Sequence, residues 1–152
     1  MAKTAADMVA EAKARVENLT VEQAAAEIER GDTLLVDIRE PEEGTADGSI
    51  PDAVPAPRGM LEFWADPSSS HHREEFQPER RIILNCDSGG RSALAAQTLQ
   101  ELGYSNVGHM DGGIEAWNAS GRPVTREQEF GRSGRLSGSV PTAAERPTPP
   151  LR

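Results

Sequence analysis

The sequence predicts an α/β domain built on a mostly parallel sheet. Two short apolar runs with β-branched residues, 33–38 and 81–85, are too brief for helices and fit strands buried on both faces. They alternate with segments of helical periodicity, clearest at 91–102. Glycines stand at the segment borders, at Gly31, Gly103 and Gly112-Gly113.

The elements follow in order. Residues 5–17 read as a helix, with Met8, Val9, Ala12 and Val16 as its apolar stripe. A second helix starts at Thr20, where Gln23 completes a capping box, and Gly31 ends it. The strand at 33–38 comes next. Residues 41–52 are turn-rich, with Pro41, Gly44, Gly48 and Pro51, and lead into a short extended piece at 53–56. Residues 59–64 make one or two helical turns, 66–78 form a polar surface loop, and 81–85 is the second clear strand. The helix at 91–102 buries Ala93, Leu94, Ala96, Leu99 and Leu102 and stops at Gly103. A third strand at 106–110, a turn at Asp111-Gly112-Gly113 and a short helix at 114–119 complete the pattern. Residues 125–152 hold four prolines, three glycines and one aromatic, too little apolar surface for a core, and are expected to be a disordered tail.

Charge and composition narrow the function. The 25 acidic and 16 basic residues give a formal charge of −9. The tail has five Arg and three Glu, so residues 1–124 carry −11. That excludes a nucleic-acid binder, which would show a basic patch, and an anionic membrane as partner. No run approaches a membrane span, and residues 1–10 have no apolar core of a signal peptide. A soluble cytoplasmic protein is expected. A single cysteine rules out an internal disulfide.

That cysteine is the most informative residue. Cys86 ends an apolar strand and opens the run Cys86-Asp87-Ser88-Gly89-Gly90-Arg91-Ser92 into a helix. A loop of this kind surrounds the sulfur with backbone N–H groups at a helix N-terminus, and both favour thiolate over thiol. Gly89 and Gly90 allow close backbone approach, and Arg91 adds a fixed positive charge for an anionic donor. The spacing is Cys-x4-Arg. One residue more gives the phosphatase pattern, sized for a tetrahedral phosphate; the shorter loop makes a tighter pocket, better matched to a terminal sulfur.

The chain resembles a single-domain rhodanese, a member of the sulfurtransferase superfamily, from about residue 19 to 124. The resemblance rests on Leu34-Leu35-Val36-Asp37-Ile38-Arg39 followed by Glu40-Pro41-Glu42-Glu43, on Gly48-Ser49-Ile50-Pro51-Asp52-Ala53-Val54, on the Cys86 loop, and on Asp111-Gly112-Gly113-Ile114-Glu115-Ala116-Trp117. It implies a five-stranded, largely parallel sheet flanked by helices, with residues 1–18 as a preceding N-terminal helix. It also implies a persulfide on Cys86, filled from thiosulfate or a similar small donor and emptied to a thiophilic acceptor such as cyanide, a thiol or a protein. Asp87, Ser88, Gly89, Gly90, Arg91 and Ser92 would bind the substrate, and no metal or organic cofactor is needed. Asp37 and Arg39 would be structural, a carboxylate tying the loop backbone and an arginine in an ion pair. The alternatives are a non-catalytic rhodanese module that binds or regulates a partner, and a cysteine-dependent phosphatase.

Some residues stand apart from that pattern. Ser49 and Asp52 occupy positions where the family often has histidine and glycine. Asp87 puts a carboxylate beside the nucleophile, where it would disfavour thiolate and repel an anionic donor. Arg58, just ahead of Met60, Leu61, Phe63 and Trp64, is a candidate to face the donor from a pocket wall. His71, His72 and His109 lack the spacing of a metal site and are read as non-catalytic. Trp117 is read as core.

Overall fold

The central strand of the sheet is β4 (Ile82–Asn85), the strand that ends at Cys86. The computed structural model describes residues 2–126; apart from Thr125 and Arg126, the expected disordered tail lies outside them. The described residues form five strands and six helices. The strands are β1 (Glu17–Leu19), β2 (Leu34–Asp37), β3 (Val54–Pro55), β4 and β5 (Val107–Met110), in the order β1-β5-β4-β2-β3. Every pairing is parallel, with Leu34 opposite Ile82 and Leu84 opposite His109. The chain runs outward from β2 to β3, then returns to β4 and continues the other way to β5. The order thus reverses between β2 and β4, and the carboxyl ends of strands at such a reversal are where open α/β sheets place ligands.

Both faces of β2 and β4 are buried, which is why the first three residues of each are apolar. On one face Leu34, Val36, Ile82 and Leu84 join Ala95, Ala96 and Leu99 of α5 (Gly90–Glu101) in one core cluster. Leu35 and Ile83 alternate to the opposite face and are also buried. The helix α2 (Val21–Arg30) has the expected capping box: the Thr20 hydroxyl accepts from the Gln23 N–H at 3.1 Å, and the Gln23 carbonyl oxygen accepts from the Thr20 N–H at 2.9 Å. Arg81, ahead of β4, grips Glu27 of α2 through two 2.8 Å bonds and Glu17 of β1 through another.

The helix α1 (Ala5–Arg15) packs on α5. Ala12 is fully buried, Val16 joins the core, and Gln100 donates to the Arg15 carbonyl at 3.4 Å. The chain turns from helix to strand between Arg15 and Glu17, where a continuous helix to Glu17 was expected; three residues of edge strand leave no readable periodicity.

Residues 41–47 also differ from expectation. They form the helix α3 (Pro41–Asp47), begun by a proline at its first position with Glu42 and Glu43 in its first turn, both favoured there. This segment stands apart: Pro41–Pro51 and the described residues from Pro123 onward form one unit, and the other described residues up to Arg122 form another. Within the smaller unit Ser49 and Thr125 exchange two 2.8 Å backbone bonds, and Arg126 donates to the Ala46 carbonyl at 2.7 Å.

After a 3-10 turn (Arg58–Met60) and the short helix α4 (Leu61–Ala65), the long polar loop is anchored by an apolar plug, Phe76, which is fully buried. Beside it the Tyr104 hydroxyl donates to the Ala65 carbonyl at 2.7 Å, and burial pushes the Tyr104 pKa up to about 12. Tyr104→Phe would leave that carbonyl buried and unpaired, so urea unfolding is expected to show a loss of about 1–2 kcal/mol. No helix among the described residues is long and apolar enough to cross a membrane.

Candidate active site

Cys86 leaves the central strand directly into the loop that starts α5. Its thiol is almost entirely enclosed, with 1 % of the residue exposed. The Gly89 N–H points at Sγ from 3.2 Å and the Ser92 N–H from 3.3 Å. The Ser92 hydroxyl lies 3.5 Å from Sγ. Two amides from the first turn of a twelve-residue helix therefore converge on one sulfur, an arrangement that stabilises negative charge there.

Gly89 makes the turn possible. Its φ is 112°, and a Cβ there would lie 3.0 Å from Asp111 Oδ1 and 3.1 Å from the Gly112 nitrogen. The helix α6 (Gly113–Ala119) braces the other side of the loop. The Ile114 N–H donates to the Cys86 carbonyl at 2.9 Å, and the Glu115 N–H to the Asp87 carbonyl at 3.0 Å. That approach explains Gly113: a Cβ there would sit 2.5 Å from both carbonyl oxygens, at a φ of 58°. Ile114 and Trp117 of α6 are buried, so Trp117 is core.

Asp87 is half-buried, Ser88 exposed, and Arg91 half-buried at the start of α5. Asp37 and Arg39 form a buried pair: Arg39 Nη2 lies 2.9 Å from Asp37 Oδ2, while Nε and the backbone N–H both reach Oδ1. Arg58 is engaged away from the sulfur. Its guanidinium contacts Glu62 at 2.9 Å and the Thr98 hydroxyl at 3.3 Å, and Thr98 lies two turns along α5 from the Cys86 loop.

Two residues that sequence reasoning set aside or passed over join the site. His109 on β5 is fully buried, and its Nδ1 lies 2.8 Å from the Ser92 hydroxyl. Its Nε2 lies 2.7 Å from Asn18 Oδ1. Burial holds the ring below the ordinary histidine range; Asp111 nearby opposes that effect and Lys13 adds to it. Lys13 of α1 and Asp111 are themselves paired at 2.9 Å, and the Lys13 ammonium keeps the Asp111 carboxyl below the usual carboxylate range. The one signal in the sequence was a histidine inside an otherwise apolar strand. A buried, satisfied histidine is the commoner meaning of that signal, and the register that brings it to Ser92 is not written in local sequence. Among the described residues no three His, Cys, Asp or Glu side chains group as a metal site.

A family model described as Rhodanese-like domain matches residues 20–120. A protein named sulfurtransferase from Allochromatium vinosum is 38% identical over 93 residues, which cover 61% of this chain and 78% of that one. Among solved structures, a Rhodopseudomonas palustris protein of unknown function, described as a possible tyrosine phosphatase, superposes with a TM-score of 0.77 at 40% identity, over 82% of this chain and 96% of the other. The polysulfide-sulfur transferase homodimer of Wolinella succinogenes gives a TM-score of 0.65 at 28% identity, over 82% and 88%.

Proposed function

Because the chain belongs to the rhodanese family of sulfurtransferases, we propose that Cys86 carries the transferred sulfur as a persulfide. The observation that supports this most is the convergence of the Gly89 and Ser92 N–H groups on Cys86 Sγ. In the first half-reaction the Cys86 thiolate attacks the outer sulfur of thiosulfate. A new S–S bond forms to Cys86, the donor's S–S bond breaks, and sulfite leaves with its electron pair. In the second, a thiophilic acceptor (cyanide, a thiol or a protein cysteine) attacks the terminal sulfur and the thiolate is regenerated. The amides that hold the thiolate also hold the persulfide anion, as an oxyanion hole holds oxygen. The residues 87–92 form the donor pocket, and a cytoplasmic setting belongs to the same reading.

Incubation with thiosulfate followed by intact-mass measurement tests it. A gain of one sulfur, lost on adding cyanide, is expected. No gain with thiosulfate, mercaptopyruvate or a thiol persulfide sinks the proposal.

The description of the Rhodopseudomonas palustris relative raises phosphate-ester hydrolysis as a second reading. The four-residue spacing from Cys86 to Arg91 favours sulfur over phosphate, and para-nitrophenyl phosphate turnover without persulfide formation would reverse that ranking.

Asp87 modulates the donor. It follows the nucleophile directly in sequence and is half-buried, so Asp87→Asn is expected to raise kcat/KM for thiosulfate roughly two- to fivefold at low salt, and less at high salt. An unchanged or lowered value in steady-state kinetics contradicts this.

A further inference from the structure

We infer that His109, acting through Ser92, takes the proton that Cys86 loses, so that Cys86, Ser92 and His109 form one buried relay, oriented by Asn18 at its outer end. The inference rests on Cys86 as the nucleophile of the proposed reaction, and it assigns this role to a histidine on another strand.

The hydrogen-bond directions follow from one end. The Asn18 amide nitrogen donates to two backbone carbonyls, Lys13 at 2.9 Å and Val16 at 3.1 Å. Its Oδ1 is thereby turned to His109 and needs a donor, so Nε2 of His109 carries a hydrogen. The neutral ring then has its lone pair on Nδ1, facing the Ser92 hydroxyl at 2.8 Å. Ser92 donates to Nδ1, and its own oxygen faces Cys86 Sγ at 3.5 Å. A thiol proton at Sγ thus has an acceptor already aligned.

Ionisation proceeds in balance. The S–H bond of Cys86 breaks as an O–H bond forms on Ser92, and the original Ser92 O–H breaks as an N–H forms on His109 Nδ1. The products are a thiolate and an imidazolium. The Ser92 hydroxyl now donates to the sulfur, adding a third hydrogen bond to those from Gly89 and Ser92 nitrogen. Asn18 accepts from Nε2 before and after. Burial holds the ring neutral at rest and works against the imidazolium, while Asp111 nearby works for it; the alignment of the hydrogen bonds carries the relay. The charged groups around it are Lys13 from α1 and Asp111 past β5, paired with each other, and Glu17 on β1, which is bound to Arg81. His109 touches no substrate; it is a positioning residue that sets the state of the sulfur.

The test titrates the thiolate's ultraviolet absorbance against pH in the full chain, referenced to Cys86→Ser, with no sulfur donor present. Ser92→Ala and His109→Asn are each expected to raise the midpoint by about one pH unit, a tenfold fall in the thiolate-to-thiol ratio at a given pH. Because the two act in series, the double variant should shift no further than either alone. Asn18→Ala, at an exposed position, frees the ring to change tautomer and should shift the midpoint the same way by less. An unchanged midpoint in folded Ser92→Ala or His109→Asn, or additive shifts in the double variant, overturns the relay. If His109→Asn does not fold, Ser92→Ala and Asn18→Ala decide. Shifted midpoints without a persulfide would leave the relay standing and remove the sulfur-transfer reading; a persulfide with unshifted midpoints would do the reverse.

Discussion

Cys86→Ser is expected to abolish both the mass gain with thiosulfate and the turnover that depends on it, by about 10³-fold or more in kcat. The fold should survive. Serine is slightly smaller than cysteine, and its hydroxyl can accept from the same Gly89 and Ser92 amides that reach Sγ at 3.2 and 3.3 Å. What is lost is chemical. An alcohol in this loop is scarcely ionised near neutrality, and it cannot hold a sulfane sulfur as a persulfide does. An unchanged melting temperature with no sulfur uptake is therefore the expected pair of results. Residual uptake in the variant would place the acceptor atom elsewhere, and no other cysteine exists to supply it.

Among the described glycines, Gly113→Ala should be the most damaging substitution by a single methyl group. The added carbon would sit 2.5 Å from the carbonyl oxygens of Cys86 and Asp87, and those atoms are backbone, unable to swing aside. Relief requires α6 to retreat, which stretches the bonds from the Ile114 and Glu115 N–H groups to those carbonyls. The φ of 58° adds the cost of a left-handed alanine. Overpacking of this kind with that strain amounts to about 3 kcal/mol or more. Urea unfolding should show the loss, and the sulfur-transfer rate should fall along with it because the loop carrying Cys86 moves. Gly121→Ala is the control for the left-handed strain alone: its φ is 80°, and nothing lies within 4 Å of its Cβ position. If Gly113→Ala costs no more than Gly121→Ala, the close approach of α6 is not what constrains the loop.

Much of this was readable residue by residue. The strands β2 and β4 announced themselves because a parallel strand in the middle of a sheet is apolar on both faces, and no amphipathic helix of that length competes. Thr20 and Gln23 marked a helix start because their bonds span three residues of sequence and need nothing else. The loop length from Cys86 to Arg91 and the double glycine at 112–113 were local in the same way. The helix α3 was hidden by Pro41 and Gly44, which read as turn residues although proline is favoured in a first turn. The strand β1 was hidden by its length. Arg58 looked like a pocket arginine from its position beside Met60 and Leu61; Glu62 and Thr98 decide where its guanidinium rests.

The sequence alone determined the α/β class, the apolar cores of β2, β4 and α5, and the placing of the one thiol, the proposed sulfur carrier, at a strand-to-helix turn, because each depends on neighbours a few residues apart. Only the tertiary structure decided what surrounds that thiol. Parallel pairing placed His109 beside Leu84, α5 carried Ser92 onto it, and β1 brought Asn18 from 91 residues away. Those contacts depend on strand order and register, which arise when buried apolar faces across the whole chain are satisfied together.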